Sequence, residues 1–286
     1  MSSGEFPSNP IGPDHKSPGM SLPSAKDRWT SGDAYEIWMG RWSRILSADF
    51  LEWLALPPGG RWLDVCCGTG ILSVAIAERS RPAQVVGIDR SPPQIELARS
   101  RHAARGLEFH LADATALPFT DRSFDASVSG LGLNFVPDPI EALREMRRVT
   151  RPGGTIAAYV WEYSGDVRFL REFWDAATAV DPEAASFDQG RRFPICTADG
   201  LRAAFEEAGL SGGEIRPLEI TTRFANFDDY WSPFLLGQGS APVYLAARDD
   251  GIRTAIRERL RAALPVNADG SIVLNARALA IRAARR

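Results

Sequence analysis

The residues best suited to hold a nucleotide-like ligand lie in Arg61 to Ser73, which reads RWLDVCCGTGILS. A β-branched and aromatic run (Trp62, Leu63, Val65), a turn of small residues (Cys66 to Gly70) and an apolar helical start (Ile71, Leu72) follow one another, as in a strand, tight loop and helix. Such a loop leaves backbone N–H groups unpaired at a positive helix end, and Gly68 and Gly70 let a ligand approach the main chain closely. Asp89 stands 19 positions beyond Gly70 (89 − 70), where an acidic residue can grip a ribose.

Two ligand classes compete for this pattern. A dinucleotide fingerprint wants a third glycine, and Ser73 stands in its place. The glycines alone therefore do not separate a nicotinamide-dependent oxidoreductase from other nucleotide binders.

The elements that must position these residues alternate along the chain. Gln84 to Asp89, Leu107 to Leu111, Phe124 to Ser129 and Thr155 to Trp161 read as further strands. Helices lie between them, one opened by Ser91-Pro92 and another by Asp138-Pro139. Five strands alternating with helices make an open, mostly parallel α/β sheet. Its ligand sits outside the carboxyl ends of the strands, where Gly68, Asp89, Asp113 and Asn134 fall.

Upstream, residues 1–30 are rich in Ser, Pro and Gly and read as a mobile tail. Residues 34–46 have helical apolar spacing, a second helical piece spans Ala48 to Leu56, and Pro57-Pro58-Gly59-Gly60 stops it. Downstream, the pattern predicts helices near 167–180, from Thr197 to Gly209, over 227–236 and over 249–264. It also predicts a loop over 181–194, an irregular segment between the last two helices, and strands at 215–224 and 271–281.

Composition bounds the function. Hydrophobic residues make up 44% of the 286, enough for a substantial core. A net charge of −3 argues against a nucleic-acid partner, and the basic end Arg277 to Arg286 is too local to change that. Three cysteines, two of them adjacent, exclude a disulfide framework and a metal quartet and point to a reducing, cytoplasmic setting. There is no apolar run long enough to span a bilayer and no secretory signal.

Taken together, the motifs resemble the class I S-adenosylmethionine-dependent methyltransferases. The resemblance runs from Tyr35 to Trp161 through L-D-V-C-C-G-T-G, G-I-D, A-D-A, F-D-A-S-V-S, L-N-F-V-P-D-P and L-R-E-M-R-R-V-T-R-P-G-G. It is strongest to the bacterial small-molecule branch similar to ubiquinone and menaquinone biosynthesis methyltransferases. It implies an open seven-stranded, Rossmann-like sheet, mostly parallel, with an antiparallel C-terminal hairpin, helices on both faces and an N-terminal lid helix. Within a methyltransferase domain at 31–286, the lid would span 34–56, the cofactor-binding core 57–161, and the acceptor-side helices and last strands 162–286.

The implied cofactor is S-adenosylmethionine, with S-adenosylhomocysteine as product. Carried over by position, Asp64 organises the loop and holds the methionyl ammonium through water. Gly68 and Gly70 line the methionyl and ribose portions, with Arg90 beside them. Asp89 accepts from the ribose hydroxyls, and Asp113 and the Ala114 N–H take the adenine. Asn134 falls near the methionyl end, and Arg41 approaches the cofactor carboxylate from the lid. Cys66 stands where the family usually has its first glycine, which suits the turn if φ is negative.

The acceptor is expected to be a small, aromatic or apolar molecule. The lid and the segment after Trp161 are expected to line its pocket, and they hold Tyr35, Trp38, Trp42, Trp161, Phe169, Phe173, Trp174, Phe193, Phe224, Tyr230, Trp231 and Phe234. Methyl transfer from a sulfonium is an in-line displacement that mainly needs alignment, so no catalytic base is assigned. A methyltransferase-like protein that binds the cofactor without catalysis would carry the same motifs.

Overall fold

A computed structural model describes residues 27, 32–102 and 105–286. The proposed tail at 1–30 therefore lies outside the described residues, with the exception of Asp27. In chain order the elements are α1 (Gly32–Tyr35), a π-helical turn (Glu36–Gly40), α2 (Arg41–Leu54), β1 (Arg61–Val65), α3 (Ile71–Arg79), β2 (Gln84–Asp89), α4 (Pro92–His102) and β3 (Glu108–Leu111). Then follow β4 (Phe124–Gly130), α5 (Pro139–Val149), β5 (Thr150–Trp161), α6 (Arg168–Val180), α7 (Gln189–Arg192) and α8 (Ala198–Glu207). β6 (Glu214–Phe224), α9 (Phe227–Trp231), α10 (Ser240–Ala246), α11 (Asp250–Ala263) and β7 (Ile272–Ala284) complete the chain.

The seven strands form one sheet in the order β3-β2-β1-β4-β5-β7-β6, with helices packed around it. β1 to β5 run parallel, and β7 is antiparallel to both β5 and β6. The central strands are buried almost without interruption, as parallel strands covered on both faces must be. Trp62, Leu63, Val65, Val128 and Ile156 are each at most 1% exposed. The chain reverses order beside β1, and the strand ends carrying Asp89 and Asp113 open onto the crevice that this reversal leaves.

Local sequence explains the boundaries that matter to the site. Asp138 caps α5 by accepting from Glu141 N at 2.9 Å, with Pro139 next in the chain. The Thr197 hydroxyl accepts from Gly200 N at 3.1 Å at the start of α8. The two predicted N-terminal helical pieces are instead one run from Gly32 to Leu54. Nothing between Ile45 and Ala48 breaks a helix, and Ser47 Oγ bonds back to Arg44 O at 3.0 Å.

Two further corrections concern segments expected to be irregular. Residues 240–246 form α10, and 3₁₀ turns with the short α7 occupy much of 181–194. Pro152-Gly153-Gly154 lies within β5 rather than between helix and strand, at a register shift against β4. A Cβ on Gly154 would stand 2.6 Å from Asp125 O, so only glycine fits that crossing.

The segment after β3 is anchored by a charged network. Glu145 accepts from Leu117 N at 2.8 Å, while Arg148 donates to Leu117 O and Phe119 O at 2.9 and 2.8 Å. These bonds fix the chain that follows Asp113.

Candidate active site

A cavity of about 600 Å³ opens at the carboxyl ends of β1, β2, β4 and β5 and in the segment after β3. Asp64, Cys66, Gly68, Asp89, Arg90, Asp113 and Ala114 all line it.

Asp64 is fully buried. Ser73 Oγ donates to its Oδ2 at 2.6 Å, while Oδ1 has no hydrogen-bond partner. Burial, with a smaller contribution from the negative charge of Asp89, pushes the Asp64 carboxyl up to about 7. A buried carboxylate oxygen with no donor is costly, so this one is suited to a cationic donor supplied by a ligand. Ser73 thus holds Asp64 in place from the first turn of α3. A serine on the buried face of an apolar helix needs a partner, and that was the available sequence signal.

Asp89 Oδ2 accepts from Gly68 N at 3.0 Å and Oδ1 from Ser91 N at 2.9 Å. Burial raises its carboxyl as well. Cys67 N donates to Ile88 O at 2.8 Å and Gly70 N to Cys67 O at 2.9 Å. The loop amides expected to be unpaired are therefore largely spent inside the protein. The loop presents an acidic wall to the cavity and offers few free N–H groups for a phosphate. Asp113 uses Oδ1 to accept from Thr115 N and Thr115 Oγ1 at 2.9 and 2.8 Å.

Cys66 adopts φ +61°, so the condition of a negative φ under which a side chain would suit this turn is not met. It occupies the left-handed region that favours glycine, which explains why this turn position usually takes one. Its side chain packs directly against Gly132, where an added Cβ would stand 2.4 Å from Cys66 Cβ. Gly132 has an ordinary φ of −108°, so the clash alone demands glycine there. Gly132→Ala is expected to destabilise the fold by about 1–3 kcal/mol. In a Cys66→Gly background most of that loss should vanish, and equal losses in both backgrounds by urea titration would refute the contact.

Three expected site residues stand elsewhere. Gly70 lies behind the loop, where a Cβ would meet Phe109 Cζ at 2.9 Å, so it serves packing rather than the cavity wall. Arg41 does not reach the cavity. Its Nη1 lies 3.1 Å from both Asp229 carboxylate oxygens, and its guanidinium rests over Trp42 and Phe224 at 4.4 and 4.7 Å. Asn134 is buried near the Tyr163 hydroxyl but outside the cavity wall, and neither amide atom reaches a partner with hydrogen-bond geometry.

The π-helical turn sorts the N-terminal helix into two faces. Tyr35, Met39 and Ser43 line the cavity, and Tyr35 Oη lies 3.1 Å from Ser43 Oγ. Trp38 and Trp42 turn into a second aromatic core with Phe169, Phe224 and Phe234. There Phe173 stacks on Phe234 at 4.4 Å and Tyr230 Oη donates to Phe169 O at 2.8 Å. Of the aromatics expected around the acceptor, Tyr35 and Trp161 reach the wall, and Phe193 packs edge-on at 5.3 Å against Phe135, which does. The others belong to the hydrophobic core. Glu36 ties this helix to the glycine loop by accepting from Thr69 Oγ1 and pairing with Arg44.

The wall also contains Tyr159, which period-two alternation along β5 places on the same side as Trp161, and Tyr163 in the turn that follows the strand. Burial holds all three cavity phenols protonated, with Tyr35 pushed up to about 12 and Tyr159 and Tyr163 also held well above the ordinary phenol value. They are hydrogen-bond donors at neutral pH. Burial likewise raises the Cys66 and Cys67 thiols and removes them as nucleophiles. His102 lies outside the wall, with Nε2 3.2 Å from Thr69 O. Among the described residues no cluster suits a metal ion, and no helix is long and apolar enough to cross a membrane.

Residues 63–158 match the family model described as a methyltransferase domain. The demethylmenaquinone methyltransferase of Geobacillus kaustophilus is 34% identical over 185 residues, covering 59% of this chain and 78% of that protein. Among solved structures, phosphoethanolamine N-methyltransferase 2 of Haemonchus contortus, in complex with phosphomonomethylethanolamine and S-adenosylhomocysteine, aligns with a TM-score of 0.56. Its identity is 17%, over 89% of this chain and 56% of that one. The [4+2]-cyclase SpnF aligns with a TM-score of 0.52 at 22% identity, over 84% of this chain and 81% of that one. At such identities the solved structures speak for the fold alone, and it is the matched domain with its sequence relative that shows the family: the chain belongs to the S-adenosylmethionine-dependent methyltransferases.

Proposed function

We propose that the cavity holds S-adenosylmethionine along the ends of β1 and β2 and the segment after β3, and that the methyl group passes to a small aromatic acceptor above β4 and β5. When bound, the cofactor supplies an activated methyl carbon on a sulfonium. The observation that carries this reading is the buried, unpartnered Asp64 Oδ1 in the wall of a cavity that also holds Asp89 and Asp113. Asp64, Asp89 and Asp113, together with Asp27, set four carboxylates against one lining cation, Arg90, which favours a positively charged ligand and repels the pyrophosphate of a dinucleotide.

In this reading Asp64 accepts from the methionyl ammonium and Asp89 from the ribose hydroxyls, using lone pairs left after Gly68 and Ser91. Asp113 and the Ala114 N–H take the adenine edge, and Gly68, open where a Cβ would stand, lets the ligand lie against the main chain. Arg90 lines the ribose side.

Tyr35, Tyr159, Tyr163 and Trp161 support the acceptor assignment. They give flat apolar walls with neutral donors, suited to orienting a ring and holding its oxygen. Protonated phenols are poor bases, so the acceptor must be nucleophilic with hydrogen bonding alone, and catalysis rests on alignment and exclusion of water.

The test is transfer of labelled methyl from S-adenosylmethionine to hydroxylated benzenes and naphthalenes. The expected result is label in the acceptor with one S-adenosylhomocysteine formed per methyl moved. Binding of both ligands without transfer would contradict it and favour a protein that only holds the cofactor.

A further inference from the structure

One ion pair behind the cavity wall, reached from the cavity at its Asp27 end, has the form of a ligand contact. The Asp27 carboxylate lines the cavity and is 5% exposed. Arg192 grips it with both terminal nitrogens, Nη1 lying 3.2 Å from Oδ1 and Nη2 against Oδ2, while Ser240 Oγ donates to Oδ1. A guanidinium fork with an added hydroxyl is a recognition geometry for a planar carboxylate.

The fork has supports of its own. Arg192 Nη1 also reaches Phe187 O at 3.4 Å, and the guanidinium lies 4.9 Å from the centre of the Phe193 ring. Among the described residues Asp27 is the one carboxylate paired with Arg192, since neighbouring Asp188 is engaged by Arg171 at 2.9 Å. Asp27 comes from far upstream, 165 positions before Arg192.

The place of the pair matters as much as its shape. Asp27 lies in the cavity wall close enough to Tyr163 for its charge to act on that phenol. Phe193 connects the fork to the wall ring Phe135 at 5.3 Å and to Tyr163 at 6.1 Å. An aromatic ring bearing a carboxylate would therefore find an apolar wall beside a cationic fork.

We propose that Arg192 and Ser240 form a carboxylate subsite of the acceptor pocket, that the acceptor is a carboxylated aromatic, and that Asp27 fills the subsite until the acceptor replaces it. The proposal rests on the reading of the cavity as a methyl-transfer site. Removing Asp27 with nothing in its place would leave a largely buried guanidinium uncompensated. Exchanging one carboxylate for another keeps the charge balanced, so the tethered Asp27 acts as an intramolecular competitor whose removal strengthens acceptor binding.

The experiment uses the full chain saturated with S-adenosylhomocysteine and titrated calorimetrically with 1-hydroxy-2-naphthoate and with 1-naphthol. Asp27→Ala is expected to tighten hydroxynaphthoate binding at least tenfold and leave 1-naphthol unchanged. Adding Arg192→Gln should abolish the gain. Should that double variant fail to fold, Arg192→Lys, which keeps the charge but loses the fork, should remove most of it.

Unchanged hydroxynaphthoate affinity in Asp27→Ala would overturn the subsite. So would loss of both ligands, which would make the Asp27–Arg192 pair a latch that builds the pocket. The preliminary titration of the parent chain with S-adenosylhomocysteine reads the cofactor assignment separately. If it fails, both readings fall; if it succeeds, the carboxylate comparison alone decides the subsite.

Discussion

Asp64→Asn is expected to weaken S-adenosylhomocysteine binding by about 3 kcal/mol, roughly 150-fold, because it leaves a ligand ammonium facing a neutral amide in a buried wall. The pH dependence makes the role specific. In the ligand-free chain the Asp64 carboxyl titrates at about 7, and the ammonium favours its charged form. Below that value binding must expel a proton, so affinity should fall as pH falls, by up to roughly tenfold per pH unit.

The stability of the free chain has the opposite sign. A buried carboxyl raised in the folded state binds its proton more tightly than in the unfolded chain, so its contribution to stability declines as pH rises from the ordinary carboxylate range toward about 7. Asp89, raised by the same burial, adds in the same direction. The thermal shift given by S-adenosylhomocysteine should therefore grow between pH 6 and pH 8 in the parent and stay flat in Asp64→Asn. A parent affinity independent of pH would remove Asp64 from the ammonium site.

Asp89→Ala is expected to weaken cofactor binding by about 1.5–3 kcal/mol, the range for hydrogen bonds to a charged acceptor. It also removes the acceptor of Gly68 N and Ser91 N, so some loss of stability should accompany it. The ligand 5′-methylthioadenosine, which keeps ribose and adenine but has no ammonium, separates the two aspartates. Its affinity should drop in Asp89→Ala and remain unchanged in Asp64→Asn. Equal losses in both variants would mean that the substitutions act through the loop's shape and not through the assigned contacts.

The parts of this architecture that depend on local pattern were legible in the sequence. Apolar runs ending at Asp89 and near Asp113, the Asp138-Pro139 helix start and the Thr197 cap follow from periodicity and capping chemistry, and the sheet was expected in the form found. What depends on tertiary placement was not. Whether Trp42 or Ser43 faces the cavity turns on the π-helical turn at Glu36–Gly40, whose wider turn changes the side-chain register of the helix that follows.

Arg41 was drawn to Asp229, 188 positions away, a pairing that no local spacing reveals. Cys66 at positive φ shows a residue overruled by its surroundings, since the bonds of Cys67, Gly68 and Gly70 fix the loop around it. Those same bonds invert the simplest reading of a glycine-rich loop. Its amides point back into the protein, and the face left for a ligand is acidic.

The most direct test of the central claim is a parallel calorimetric titration of the chain with S-adenosylmethionine, S-adenosylhomocysteine and NADH. The account predicts micromolar binding of the first two, one per chain, and no binding of NADH. NADH binding in the absence of the other two would contradict it, and Asp64, Asp89 and Asp113 would then need another explanation.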